Sequence, residues 1–249
     1  MAESLPFDRV ADTYDRTRGG ERRGREFAEV VAPRLVPGVT LEIGVGTGLV
    51  ADALRRGHGC RAFGVDISPA MLARAHARLG GGVALGDARR LPVRSAAVDN
   101  AIFVTALHAI VDMAVAFREA ARVVRPGGRV VAIAASARRE ASEEIGALLA
   151  GLPGQDRIDT PDAVAEAANA AGLTAAESVE ITIGAMAGSP NALAESIEAR
   201  AWSNLWNVDG AVWASTVMPV VDRLRALPDP DAPRDRRLTF HLSVFDRAP

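Results

Sequence analysis

The stretch Leu41-Glu-Ile-Gly-Val-Gly-Thr-Gly48 constrains this chain more than any other feature. An apolar run over residues 40–44 leads into glycines at alternate positions, 44, 46 and 48, and the residues that follow read as a helix stopped by Gly57. Glycine has no Cβ, so a bend built this way can turn sharply and lie close to a ligand. Asp66 ends a second short strand, residues 60–66, eighteen positions beyond Gly48. A carboxylate there can accept hydrogen bonds from both hydroxyls of a ribose. Bend and carboxylate together predict a nucleoside site at the carboxyl ends of parallel strands. The dinucleotide pattern G-x-G-x-x-G would need glycine at 49, where Leu49 stands. The nucleoside is therefore not read as part of a dinucleotide.

Residues 40–136 alternate strand and helix. Ser68 caps a helix and Pro69 opens it. Residues 83–87 form a brief third strand, and 98–107 are nearly all apolar, as in a strand covered on both faces. A helix from about Val111 to Val124, a tight turn at 125–128 and a fifth strand over 129–136 follow. This alternation implies a parallel sheet with helices on both sides. Beyond it lie a helix at 160–173 with Thr160 as cap, a strand at 177–184, a helical stretch at 189–227, a charged proline-rich linker at 228–237 and a strand at 238–245. The 189–227 segment falls between strands that can be neighbours, so it reads as an insertion over the sheet.

In order and spacing these pieces resemble the class I S-adenosylmethionine (SAM)-dependent methyltransferases, in the ubiquinone/menaquinone-type or methyltransferase-11-type subgroup. Glu42 with G-x-G-x-G resembles the family's first motif, residues 64–68 its ribose motif, and Gly86-Asp87-Ala88 its adenine segment. Residues 98–110 are similar to the fourth-strand motif near the methyl group, 125–131 to the stretch leading into strand five, and 7–18 to the family's opening. The resemblance covers residues 7–136 well and the rest weakly.

It implies an α/β, Rossmann-like, mostly parallel seven-stranded sheet with helices on both faces and a helical insertion before the last strand. A single domain, 1–249, is expected, with an N-terminal cap at 1–30, a cofactor-binding half at 40–136 and a lid at 189–227. The implied activity is in-line transfer of a methyl group from SAM to an oxygen, nitrogen or carbon of a small-molecule acceptor. By resemblance, Gly44 and Gly46 face the methionine part, Asp66 holds the ribose, Ile67 and Met71 flank the adenine, and Glu42 and Gly48 complete the cofactor-binding motif. Asp87 and Ala88 read its edge, Tyr14 and Arg18 close over the cofactor, and the backbone at Val104 and Thr105 holds the amino group. Other chemistry on bound SAM, or a SAM-binding regulator without turnover, are the alternatives. One tyrosine, Tyr14, leaves no Tyr-x-x-x-Lys pair for an oxidoreductase.

His108, just after the fourth strand, is the candidate general base, since an imidazole titrates near neutrality. It can equally be a packing residue. Trp202 and Trp206, four apart, would share a helix face that anchors the insertion to the sheet or walls the acceptor pocket. Arg200 reads as solvated, with contact to an anionic substrate as the alternative, Cys60 reads as inert core, His58 and His76 as solvated, and His241 is given no role. Twenty-nine basic and 31 acidic residues without a basic run speak against a nucleic-acid partner. The lone cysteine precludes an internal disulfide and fits the cytoplasm. The start lacks the pattern of a secretory signal, no stretch is apolar enough to span a membrane, and no metal-ligand cluster stands out. Arginine, tryptophan and apolar residues in the cap and insertion suggest a medium-sized, partly apolar acceptor, aromatic or lipid-like, while its identity and the oligomeric state have no signature.

Overall fold

Five strands, β1 (Val39–Ile43), β2 (Arg61–Asp66), β3 (Val83–Leu85), β4 (Val98–Val104) and β5 (Val124–Ala135), lie parallel in one sheet. The remaining two are β6 (Leu173–Ile183) and β7 (Leu238–Arg247), the latter antiparallel to both β5 and β6. In the computed structural model, which describes residues 7–135, 143–154, 158–183, 188–234 and 238–249, the sheet has seven strands in the order β3-β2-β1-β4-β5-β7-β6. Growth of the sheet reverses between β1 and β4, and at such a switch point the loops leaving the two strands diverge and open a crevice.

One face is covered by α5 (Met113–Val123) and α7 (Pro161–Ala170), where Phe117 meets Phe103 and Phe245 with ring centroids 5.3 and 5.8 Å apart. The other is covered by α2 (Gly20–Val31), α3 (Leu49–His58) and α4 (Pro69–Leu79), whose Phe27, Leu54 and Leu72 pack with Ile102, Ile133 and Leu242. β4 is buried on both sides and reads Ala101-Ile-Phe-Val104 without alternation, whereas β1 buries the polar Thr40 and Glu42 between its apolar residues. Ser68, Thr160 and Ser189 cap their helices by accepting from the backbone three residues on, as Asp112 does for α5. That cap starts α5 two residues later than the apolar pattern alone suggests. α7 also stops short, at Ala170, because Gly172 turns the chain at φ 77° and β6 starts at Leu173.

The turn predicted at 125–128 is carried inside β5 as an irregularity. Val124 pairs with Val98 and regular pairing resumes at Arg129 with Asn100. β3 and β4 are shorter than the apolar runs, at Val83–Leu85 and Val98–Val104, whereas β6 starts four residues earlier than expected, at Leu173, and β7 runs two residues further, to Arg247. Residues 1–6, Ser136, Gly184 and residues 235–237, which the sequence reading touches, lie outside the described residues.

α1 (Phe7–Thr17) lies across the start of α4, with Val10, Ala11 and Met71 buried together. The late insertion holds α8 (Pro190–Glu198), then α9 (Gly210–Val212), a π-turn over Trp213–Val217 and α10 (Met218–Arg225). It shares a core of its own with α6 (Glu143–Leu149), built from Ile145, Leu149, Leu193, Ile197, Val220 and Leu224.

The tryptophans correct the sequence reading. α8 ends at Glu198 and Arg200 takes a left-handed φ of 49°, so Trp202 and Trp206 flank a 3-10 turn at Ser203–Leu205 instead of sharing a helix face. Trp206 anchors the insertion to α1, not to the sheet, edge-on to Phe7 at 4.8 Å with its indole N–H on the Arg200 carbonyl at 2.8 Å. Arg200 is a staple and not a solvated cation: it donates to the carbonyls of Leu205 and Val208 and lies 3.9 Å from the Trp213 ring centroid. No helix among the described residues is long and apolar enough to cross a membrane.

Candidate functional site

The bend after β1 forms because three glycines accept conformations that cost other residues strain. Gly44, Gly46 and Gly48 have φ of 77°, 55° and 84°. The N–H groups of Gly44 and Val45 both donate to the Val65 carbonyl, tying the bend to the end of β2. A Cβ at Gly44 would stand 2.6 Å from that of Ala106, whereas one at Gly46 would meet nothing within 4 Å. The first glycine lets the loops after β1 and β4 close together; the second leaves open space above the bend.

Asp66 closes this corner. Its Oδ2 accepts the Gly46 N–H at 2.7 Å and its Oδ1 the Ser68 N–H at 2.9 Å. The two residues that the sequence pairs across two strands are thus in direct contact. Burial raises the Asp66 carboxyl above its ordinary range while these backbone donors pull it back. A carboxylate offers about four acceptor positions, so the two bonds leave capacity for a ligand's hydroxyls.

At the end of β1 the Glu42 side chain is 3% exposed and accepts one hydrogen bond, from the Ala51 N–H at 2.9 Å. Burial with so little compensation pushes its carboxyl from 4.5 up to about 8. It borders a cleft of about 460 Å³, counted with its open mouth, whose walls include Tyr14, Arg18, Arg23, Gly44, Gly46, Thr47, Val104 and Thr105. Arg18 crosses it with Nη2 on the Ala201 carbonyl at 2.9 Å and its guanidinium 5.6 Å from the Tyr14 ring centroid. Its Nε is buried with no hydrogen-bond partner.

A ring of contacts holds α1 over the glycine bend. Thr47 Oγ1 donates to Asp15 Oδ1 at 2.5 Å, Arg78 Nη2 donates to Asp15 Oδ2 at 2.5 Å, and Arg78 Nη1 returns to the Thr47 carbonyl at 2.7 Å. Asp15→Ala breaks it at its centre and leaves Arg78 half-buried without its acid. The expected cost is about 2 kcal/mol of stability, read as a shifted denaturant midpoint with an unchanged slope. An unmoved midpoint would show that the ring is a surface ornament.

Of the residues singled out in the sequence, Tyr14, Arg18, Glu42, Gly44, Gly46, Val104 and Thr105 surround the cleft, with Asp66 bound to its bend. Gly48 caps α3 outside the wall. Ile67 adjoins Asp66, and Met71 is 2% exposed beneath α1. Asp87 is turned toward Arg89, whose Nη2 donates at 2.6 Å and whose N–H donates at 2.8 Å, which lowers the Asp87 carboxyl; Ala88 packs on the core. His108 sits half-buried on a 3-10 turn at Leu107–Ala109, beyond the cleft wall. Cys60 is half-buried with its thiol pushed up by desolvation, and His241 Nε2 meets Ser178 Oγ at 2.7 Å. The sequence reading missed Asp15, Thr47, Arg78, Arg23 and Phe27. Asp15 adjoins Tyr14 and Thr47 sits inside the glycine motif, both in segments already marked as functional; Arg23, Phe27 and Arg78 carried no signal beyond their places on helices.

Residues 41–132 match the family model for the methyltransferase domain. The chain is 38% identical over 130 residues to a demethylmenaquinone methyltransferase of Mycobacterium marinum, a stretch that covers 50% of this chain and 55% of that protein. It is 31% identical over 135 residues to a malonyl-[acyl-carrier protein] O-methyltransferase of Hahella chejuensis, covering 53% of this chain and 48% of that one. The chain thus spans about half the length of the curated relatives it matches. Its fold is that of a SAM-dependent methyltransferase from Thermotoga maritima, with a TM-score of 0.59 at 19% identity over 97% of this chain and 98% of the other.

Proposed function

We propose that this chain, which belongs through residues 41–132 to the class I SAM-dependent methyltransferases of the methyltransferase-11, quinone-type subgroup, transfers a methyl group from SAM to a small-molecule acceptor. The observation that carries the reading is the contact between Gly46 and Asp66: an open, side-chain-free bend and a carboxylate meet where one adenosine can use both. The cleft also fits the rest of SAM. A buried Arg18 Nε without a partner suits the amino acid's carboxylate, and the uncompensated Glu42 suits a cationic group.

When bound, SAM supplies a methyl group on a sulfonium that is already electrophilic. What remains for the protein is placement, which can account for about 7–11 kcal/mol of barrier lowering. Asp66 would fix the ribose, Ile67 and Met71 the adenine, Tyr14 and Arg18 the amino acid end, and the backbone at Val104 and Thr105 its amino group. Asp87, held by Arg89, would have to turn to reach the adenine edge. The insertion at 189–227 is the lid of a single domain and bounds the acceptor side. A single cysteine and the absence of a basic run support a cytoplasmic enzyme of metabolism.

If the acceptor must lose a proton, His108 is the base. His108→Ala then lowers turnover by about 10²–10⁴-fold while S-adenosylhomocysteine binds as before. Unchanged turnover would confine His108 to packing. The reading as a whole is tested by calorimetric titration of SAM and S-adenosylhomocysteine, followed by transfer of labelled methyl to a panel of small acceptors. Failure to bind either nucleoside sinks it. Binding without transfer favours a regulator, and a product lacking the label favours other chemistry on the same scaffold.

A further inference from the structure

The cleft contains a second arginine that the cofactor reading leaves unemployed. Arg23 extends from the first half of α2, and its guanidinium lies 5.2 Å from the Phe27 ring centroid and 5.6 Å from that of Phe240. Phe240, the third residue of β7, pairs with Ala135 at the carboxyl end of β5. Asp66, which marks the ribose, ends β2, on the opposite side of the switch point between β1 and β4. An adenosine seated over β2 therefore leaves the β4–β5–β7 side of the crevice to whatever receives the methyl group. Arg23 stands on that side.

Its charge is poorly answered. Nη1 makes one long hydrogen bond, 3.3 Å to the Arg18 carbonyl, and among the described residues no carboxylate forms an ion pair with it. Arg18 itself adds like charge nearby, and desolvation lowers the Arg23 guanidinium to about 10. The two phenyl faces supply some cation–π attraction but no hydrogen-bond acceptor. Several N–H donors thus remain in a cleft open to small molecules. Arg23 is half-buried, so its charge is partly withdrawn from water without a counter-ion, and a ligand that brings the anion answers it.

We infer that Arg23 is the anchor for an anionic group on the acceptor, a carboxylate or a phosphate, and that the acceptor is an acid held through that group on the Phe240 side of the cleft. The anion is a handle and need not be the methylated atom. This rests on the methyltransferase reading but has its own readout.

The test uses the full chain saturated with S-adenosylhomocysteine. Benzoate and phenyl phosphate, each against its neutral partner, benzamide or phenol, are titrated by calorimetry into the parent, Arg23→Met and Arg23→Lys. The expected result is that at least one anion binds the parent tenfold or more tightly than its neutral partner. Arg23→Met should abolish that preference, Arg23→Lys should keep part of it, and both variants should bind S-adenosylhomocysteine within twofold of the parent. Three results overturn the inference. Loss of nucleoside affinity in Arg23→Met equal to that in Arg18→Met would assign Arg23 to the cofactor's carboxylate. No preference of the parent for the anions, or a preference that survives in Arg23→Met, would leave Arg23 as a strut between α2 and β7. Failure of the parent to bind S-adenosylhomocysteine condemns the methyltransferase reading, and the acceptor role of Arg23 falls with it.

Discussion

Replacing Glu42 by glutamine makes the protein more stable at pH 9 than its parent, by on the order of 3 kcal/mol after allowance for relaxation and water in the cleft. The sign follows from linkage. The Glu42 carboxyl titrates near 8 in the folded chain and near 4.5 when unfolded, so between those values the folded form carries more protons. Stability contributed at this site therefore falls as pH rises from about 5 to 8 and stays low above it. The amide keeps the volume and can still accept the Ala51 N–H, so only the charge is lost. Urea melts of parent and variant at pH 5, 7 and 9 should coincide at the lowest value and diverge upward. Parallel curves would mean that Glu42 is ionised in the folded protein at all three. The same site makes nucleoside binding release a proton near pH 7 if a cation arrives beside Glu42. Binding heats that vary with the ionisation enthalpy of the buffer in the parent, and not in Glu42→Gln, are the expected signature.

Asp66→Ala has the second large effect, and it falls on two processes. Loss of charge-assisted bonds to the ribose should weaken SAM by roughly 1.5–3 kcal/mol, or about 10- to 150-fold. The Gly46 and Ser68 N–H groups also lose their acceptor, which costs stability by about 1–3 kcal/mol and lets the bend relax. Asp66→Asn retains an acceptor at one position and should recover most of the stability but little of the affinity. That separation is the informative part. If both variants bind S-adenosylhomocysteine like the parent, Asp66 is a loop fastener and the adenosine lies elsewhere.

Why these two acids were legible and others were not has a physical reason. Gly44, Gly46 and Asp66 act through backbone geometry and strand ends, which chain order and spacing describe well. Sheet and helix order were legible for the same reason, since runs such as residues 101–104 between helical stretches mark a strand covered on both faces. Arg23 and Arg78 lie on amphipathic helices, where an arginine that enters a cleft looks like any arginine in solvent. Their roles depend on how helices dock across the sheet, and no local pattern encodes that. Trp202 and Trp206 failed differently: spacing by four predicts a shared face only inside a helix, and Arg200 had already ended it.

α1 touches both ends of the problem. Through Asp15 it grips the glycine bend and through Val10 and Ala11 it roofs Met71, while Phe7 and Arg18 tie it to Trp206 and Ala201 of the insertion. A single lever of this kind couples the two compartments mechanically. Held at both ends, α1 cannot shift over the glycine bend without disturbing its contacts to Trp206 and Ala201, so the two ends respond as one.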